Sequence, residues 1–121
     1  MAKILIVEDN GKNLKLFKLI IDSLGHESLT ATNGEEGLRV AKEEMPDLIL
    51  LDIQMPVMDG MSAMKALQSD ERTKDIPVIA LTSYAMKGDK ERMMEAGFVD
   101  YIAKPIAKKD FIEAVEKALR K

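Results

Sequence analysis

Four short apolar runs in this chain each end in a group that could bind an ion or take part in phosphoryl transfer. Leu48-Ile49-Leu50-Leu51 stops at Asp52, and Ile4-Leu5-Ile6-Val7 runs into Glu8-Asp9. Ile76-Pro77-Val78-Ile79-Ala80-Leu81 leads to Thr82-Ser83, and Tyr101-Ile102-Ala103 to Lys104-Pro105. Runs of this length read as strands, and Pro56 with Asp59-Gly60 makes the chain turn soon after Asp52. If the strands are parallel, all these ends fall on one sheet edge, where loops converge over a ligand crevice.

Three carboxylates in contact repel one another and are driven toward their neutral forms unless a cation sits among them. Glu8, Asp9 and Asp52 together therefore predict a metal. All-oxygen ligation completed by water and phosphate suits Mg²⁺. Lys104 supplies a second positive charge, able to pair with a phosphoryl oxygen as a point charge. Between these charges Asp52 can attack phosphorus in line as a carboxylate nucleophile, and the Thr82 hydroxyl can donate to the group so acquired.

Each residue also has a plainer reading. Acids favour the amino end of a helix, Asp is a common turn residue, and a strand-end Thr or a surface Lys is ordinary. The coincidence of all four strand ends, in this order, favours the site. Lys104 stands before Pro105, and a cis bond there would aim the lysine inward. His26, the single histidine, falls in a helix-to-strand connection remote from the inferred edge and reads as incidental.

The elements that must position these groups are legible in the hydrophobic spacing. Asn10 caps a helix on which Leu14, Phe17, Ile20, Ile21 and Leu24 recur until Gly25. Lys12, Lys15 and Lys18 also recur on it, either as a solvated face or as a docking surface for an acidic partner. Glu27 to Ala31 reads as an edge-like strand. Asn33 and Glu36 have capping-box spacing and open a helix carrying Leu38 and Ala41 that ends before Pro46. Met61, Met64 and Leu67 mark a third helix, Met93, Met94 and Ala96 a fourth that stops at Gly97, and Phe111, Ile112, Val115, Ala118 and Leu119 a fifth. Five β-then-α units imply parallel crossovers with helices on both faces, a three-layer doubly wound α/β domain.

Composition narrows the function further. A chain of 121 residues fits one domain with a core of its own, here aliphatic and methionine-filled because Trp is absent and aromatics are few. The net charge of −3 and the lack of stacking aromatics argue against a nucleic-acid binder. With no cysteine, thiolate chemistry and disulfides are excluded. No leader-like amino terminus and no membrane-length apolar run are present, which points to the cytoplasm.

The segments ILIVEDN (Ile4 to Asn10), PDLILLDIQMPVMDG (Pro46 to Gly60), PVIALTS (Pro77 to Ser83) and YIAKP (Tyr101 to Pro105) resemble the receiver domain of bacterial two-component response regulators. Ala85 to Asp89, with Pro105-Ile106, is most similar to the stand-alone DivK-type regulators. The resemblance implies a single receiver domain over residues 1–121, a flavodoxin-like, CheY-like (βα)5 sandwich with parallel strand order 2-1-3-4-5. It implies that Asp52 accepts a phosphoryl group from a sensor histidine kinase or a histidine phosphotransfer protein. On this reading Mg²⁺ is held by Asp9, Asp52 and the Gln54 main-chain carbonyl, with Glu8 acting through water. Thr82 and Tyr101 become the switch pair and Lys104 the ion-pairing lysine. The protein is then a switch rather than an enzyme, limited to self-phosphorylation from a donor and slow self-dephosphorylation. Its output would pass to a downstream protein through the fourth helix, fifth strand and fifth helix. Gln54 and Tyr84 fall where the family tunes phosphoryl lifetime.

Three alternatives remain open at this level. A Mg²⁺-dependent aspartyl-phosphate phosphatase would carry a second acid two residues after the nucleophile, where this chain has Gln54. A flavin binder would need a glycine-rich phosphate loop after a strand, and none is found. A receiver severed from a larger regulator or hybrid kinase is the third, although no linker residues follow the final helix.

Overall fold

The computed structural model describes residues 2–53, 60–83 and 89–120, with Asp89 and Lys90 described by backbone alone. Among the described residues ten elements alternate: β1 (Lys3–Val7), α1 (Gly11–Ser23), β2 (Glu27–Ala31), α2 (Gly34–Glu44), β3 (Leu48–Asp52), α3 (Gly60–Gln68), β4 (Val78–Thr82), α4 (Asp89–Ala96), β5 (Asp100–Ala103) and α5 (Lys108–Leu119). The strands form one parallel sheet in the order β2-β1-β3-β4-β5.

The burial of each strand follows its place in the sheet. Every residue of β3 and β4 is buried, and so are Ile4 to Val7 of β1, which is why these segments read as continuous apolar runs. The edge strands β2 and β5 are mixed, in keeping with their more polar sequences. Alternation divides the core into two layers. Leu5, Val7, Ile49, Leu51, Val78 and Ala80 pack with α2, α3 and α4, whereas Ile4, Ile6, Leu48, Leu50, Ile79 and Leu81 pack with α1 and α5. Phe17 of α1 and Phe111 of α5 stack with centroids 5.4 Å apart, closing the second layer.

The expected caps are present. Asn10 and Asn33 accept the N–H groups of Asn13 and Glu36, and Gly25 and Gly97 adopt positive φ after α1 and α4. Helix α2 ends less predictably, with Met45 itself left-handed at φ 49° just before Pro46. β4 begins at Val78 rather than at Ile76, because the prolyl residue at 77 has no N–H to give to the ladder.

Candidate functional site

Parallel register brings the strand ends together. Val7 pairs with Leu51, so Glu8 leaves β1 at the level where Asp52 ends β3, and Asp52 in turn pairs with Leu81, one residue before Thr82. Thr82 pairs with Ala103, and the N–H of Lys104 donates to the Thr82 carbonyl at 2.7 Å. The Lys104–Pro105 bond is cis. Glu8 and Thr82 are wholly buried and Asp52 is 1% exposed, while Asp9 lies at the surface.

Lys104 reaches into this cluster. Its Nζ stands 2.7 Å from Oε1 of Glu8 and 3.1 Å from Oδ2 of Asp52. The other oxygen of Glu8, Oε2, accepts the N–H of Asn10 at 3.1 Å. Burial, followed by the shared hydrogen bond with Asp52, pushes the Glu8 carboxyl up to about 7, against the opposing pull of Lys104 and the Asn10 N–H. Burial pulls Lys104 down, but the two carboxylates outweigh it and its net shift is upward. One ammonium thus serves two buried acids, and the local balance stays negative.

That imbalance makes the site suited to a cation. Glu8, Asp9 and Asp52 each offer a carboxylate oxygen, all within 4.8 Å of one another. Oε1 of Glu8 is buried and meets the Lys104 ammonium without hydrogen-bond alignment, so it retains acceptor capacity. Hard oxygen donors in a cluster open on one side through Asp9 fit Mg²⁺, which keeps several waters and takes few protein carboxylates. When bound, the ion would neutralise the crowded acids and a share of the charge on a phosphoryl group.

The chain that folds into this parallel α/β sheet is matched by known proteins. Residues 4–116 match the response regulator receiver domain family. This chain belongs to that family. The receiver domain is 47% identical over 116 residues to the polar-differentiation response regulators DivK of Brucella anthropi and of Brucella ovis, covering 96% of this chain and 94% of each relative. Its fold is similar to the receiver domain of the Pseudomonas aeruginosa sensor histidine kinase PA1611, a structure with a magnesium ion coordinated in its active-site cleft. That similarity has TM-score 0.91 at 33% identity over 99% of this chain and 98% of the other. Vibrio cholerae CheY4 superposes with TM-score 0.92 at 28% identity, over 98% of this chain and 99% of that one.

Thr82 and Tyr101 occupy related positions in the receiver domain. Thr82 shares strand parity with Val78 and Ala80, which face the α2–α4 layer, and half-buried Tyr101 packs against that same layer. Gln54 and Tyr84 lie outside the described residues, as do residues 85–88 of the DivK-like segment. His26 is indeed far from the cluster, at the amino-terminal edge of the sheet. It nonetheless has structural work there: Nδ1 accepts the Ala2 N–H at 2.9 Å and Nε2 lies 3.2 Å from Oε1 of Glu116.

Two site residues had no signal of their own in the sequence. Asn10 was legible as a helix cap, but not its N–H bond to Glu8. Gly60 was legible as part of a turn, but a Cβ there would lie 2.4 Å from the Ile53 Cα and 2.7 Å from the Asp52 carbonyl oxygen.

Proposed function

We propose that this receiver domain, spanning residues 1–121, is a single-domain response regulator that takes a phosphoryl group on Asp52 from the phosphohistidine of a sensor kinase or phosphotransfer protein. The observation that carries this reading is the shared ammonium: Lys104 lies within 3.1 Å of Asp52 and 2.7 Å of Glu8, so one cation spans the acceptor and the metal-type acids. Asp52 attacks phosphorus with a carboxylate oxygen; the new O–P bond forms as the donor P–N bond breaks, and the leaving imidazole takes a proton from solvent. Lys104 holds a phosphoryl oxygen and the Thr82 hydroxyl donates to another. Glu8, Asp9, Asp52 and the Gln54 carbonyl would hold Mg²⁺, which supplies charge neutralisation. The chemistry amounts to self-phosphorylation and slow self-dephosphorylation, so the chain acts as a switch in the cytoplasm.

The output rests on charge. A phosphoryl group adds roughly 1.5 to 2 negative charges at neutral pH, and that change must bias a two-state surface to matter. On this reading Thr82 moves toward the phosphoryl group, Tyr101 turns inward, and α4, β5 and α5 present a changed face to a downstream protein. Input arrives on α1. Lys12, Lys15, Leu16 and Leu19 follow one another at helical spacing on its outer face, and the two leucines are 46% and 61% exposed. Such a stripe suits an amphipathic helix of an acidic partner. Lys18 contributes less than its spacing suggests, because it is engaged with Asp22 at 2.9 Å and Ser28 at 3.1 Å.

Incubation with a small phosphodonor, with and without Mg²⁺, followed by intact mass measurement tests the reading. The wild type should gain one phosphoryl group only with Mg²⁺, and Asp52→Asn should gain none. Repeated turnover of a phosphate ester would instead indicate a phosphatase.

A further inference from the structure

Glu8 is held from two directions, and one of the two holds is also the start of a helix. Lys104 faces its Oε1 at 2.7 Å, and the backbone N–H of Asn10 donates to Oε2 at 3.1 Å. Asn10 is at the same time the N-cap of α1. Its Oδ1 accepts the Asn13 N–H at 3.0 Å and its carbonyl oxygen accepts the Leu14 N–H at 2.9 Å. An N-cap stays outside the helical conformation, here at φ −83° and ψ 115°, so its N–H is left over from the helix and can serve another acceptor. In this chain that acceptor is the buried acid of the cation cluster.

We propose that Asn10 is a positioning residue that couples the first turn of α1 to the carboxylate of Glu8, so that order in that turn and the affinity of the acid cluster for its cation rise together. The proposal rests on the reading of Glu8, Asp9 and Asp52 as Mg²⁺-binding acids. A carboxylate held by an outer hydrogen bond loses less freedom when it meets a cation, and removal of such outer partners commonly weakens metal binding tenfold or more. Coupling of this kind is reciprocal: whatever Asn10 gives the cation site, the cation returns to the helix start. A partner that stiffens α1 by docking on Leu16 and Leu19 would therefore strengthen cation binding at the amino-terminal end of the same helix.

Two variants separate this from a merely structural cap. Asn10→Ala keeps the backbone N–H but loses the Oδ1 bond to Asn13, while Asn10→Ser retains a capping oxygen. Calorimetric titration with Mg²⁺ alone should give a Kd about fivefold weaker for Asn10→Ala, the ordinary worth of an N-cap felt at Glu8, and near wild type for Asn10→Ser. In the wild type, saturating Mg²⁺ should slow hydrogen exchange at the Asn13 and Leu14 amides while leaving the α5 amides unchanged. A wild type that binds Mg²⁺, with an Asn10→Ala variant that unfolds at lower urea but binds Mg²⁺ equally well, would overturn the coupling alone. A wild type that takes up no Mg²⁺ would overturn the functional reading and the coupling with it.

Discussion

Nζ of Lys104 lies 3.1 Å from Oδ2 of Asp52, although the two residues are 52 positions apart in the chain. The lysine is 14% exposed and also touches Glu8, so its removal leaves two buried carboxylates facing each other. Breaking a buried pair in this way costs about 3 kcal/mol or more, because an uncompensated charge stays behind. Lys104→Met should therefore lower the unfolding free energy of the metal-free protein by that order, read as a lower urea midpoint, and Mg²⁺ should restore part of the loss by replacing the missing positive charge. Equal midpoints for variant and wild type without Mg²⁺ would show that the ammonium does not hold the acids together.

Gly37 of α2 lies so close to the sheet that a Cβ there would stand 2.8 Å from Cγ2 of Val7. Alanine is the better helix former by about 1 kcal/mol, but overpacking against a buried valine costs about 1–3 kcal/mol. Gly37→Ala should accordingly be destabilising in urea by about 1 kcal/mol, with phosphorylation by a small donor unchanged per folded molecule. Gly60→Ala meets backbone as well as a side-chain methyl, with the Ile53 Cα at 2.4 Å and both the Asp52 carbonyl oxygen and the Ile53 Cγ2 at 2.7 Å, at the proposed nucleophile and the residue following it. It should both destabilise the protein and slow phosphorylation of Asp52, and similar behaviour of the two variants in the phosphorylation assay would count against that distinction.

These two glycines make contacts that no local sequence pattern carries. The strand ends were legible because an apolar run that stops at an acid, a hydroxyl or a lysine is a local pattern, and parallel topology then converts four local patterns into one cluster. Close approach between elements is a relation between distant positions, and nothing in the neighbourhood of Gly37 announces Val7. The same holds for Asn10, whose capping spacing was visible while its bond to Glu8 depends on where that side chain turns. Lys12, Lys15 and Lys18 looked equivalent by spacing, yet Lys18 is drawn toward Ser28 of β2 and the other two stay on the outer face with Leu16 and Leu19. The position of His26 between a helix and a strand puts it away from the cluster, but its contacts with Ala2 and Glu116 join three separate parts of the chain that no motif connects.

Asp70, in the connection between α3 and β4, gathers Arg72 and Lys42. It accepts from the Arg72 backbone N–H at 2.8 Å and from Nε and Nη2 at 3.2 and 3.1 Å, with Lys42 of α2 at 3.7 Å. The Arg72 side chain, then its backbone N–H, holds the carboxyl at about 2, below its ordinary 3.8. A carboxylate with a depressed folded-state value contributes stability above the unfolded value, and that contribution is lost as pH falls from about 3.8 to about 2. Asp70→Asn should lower the unfolding midpoint near neutrality, and variant and wild type should converge below pH 2. Exposure and salt will keep the difference small. A gap that persists unchanged at the acid limit would mean that Asp70 acts through packing rather than charge.

Helix α1 gives the sharpest separation between docking and chemistry. Lys12 and Lys15 lie on the exposed face beside Leu16 and Leu19, and the ammonium that meets Glu8 and Asp52 is that of Lys104, so reversing the charge of the α1 lysines should leave the site itself intact. Charges at the rim of an interface act mainly on the rate of encounter, and electrostatic steering of this kind is commonly worth a factor of ten or more at low salt. The double variant Lys12→Glu/Lys15→Glu should therefore slow phosphotransfer from a cognate phosphohistidine protein about tenfold at low salt, less as salt is raised, while a small phosphodonor still works at the wild-type rate. Lys18→Glu should behave differently, because that lysine is bound to Asp22 and Ser28. Placing a second acid against Asp22 removes the hydrogen bond that chiefly holds the Asp22 carboxyl below its ordinary value. The consequence should be a lower unfolding midpoint with a smaller effect on phosphotransfer. Equal slowing with protein and small-molecule donors in the double variant would place those lysines in the chemistry instead of on the docking face.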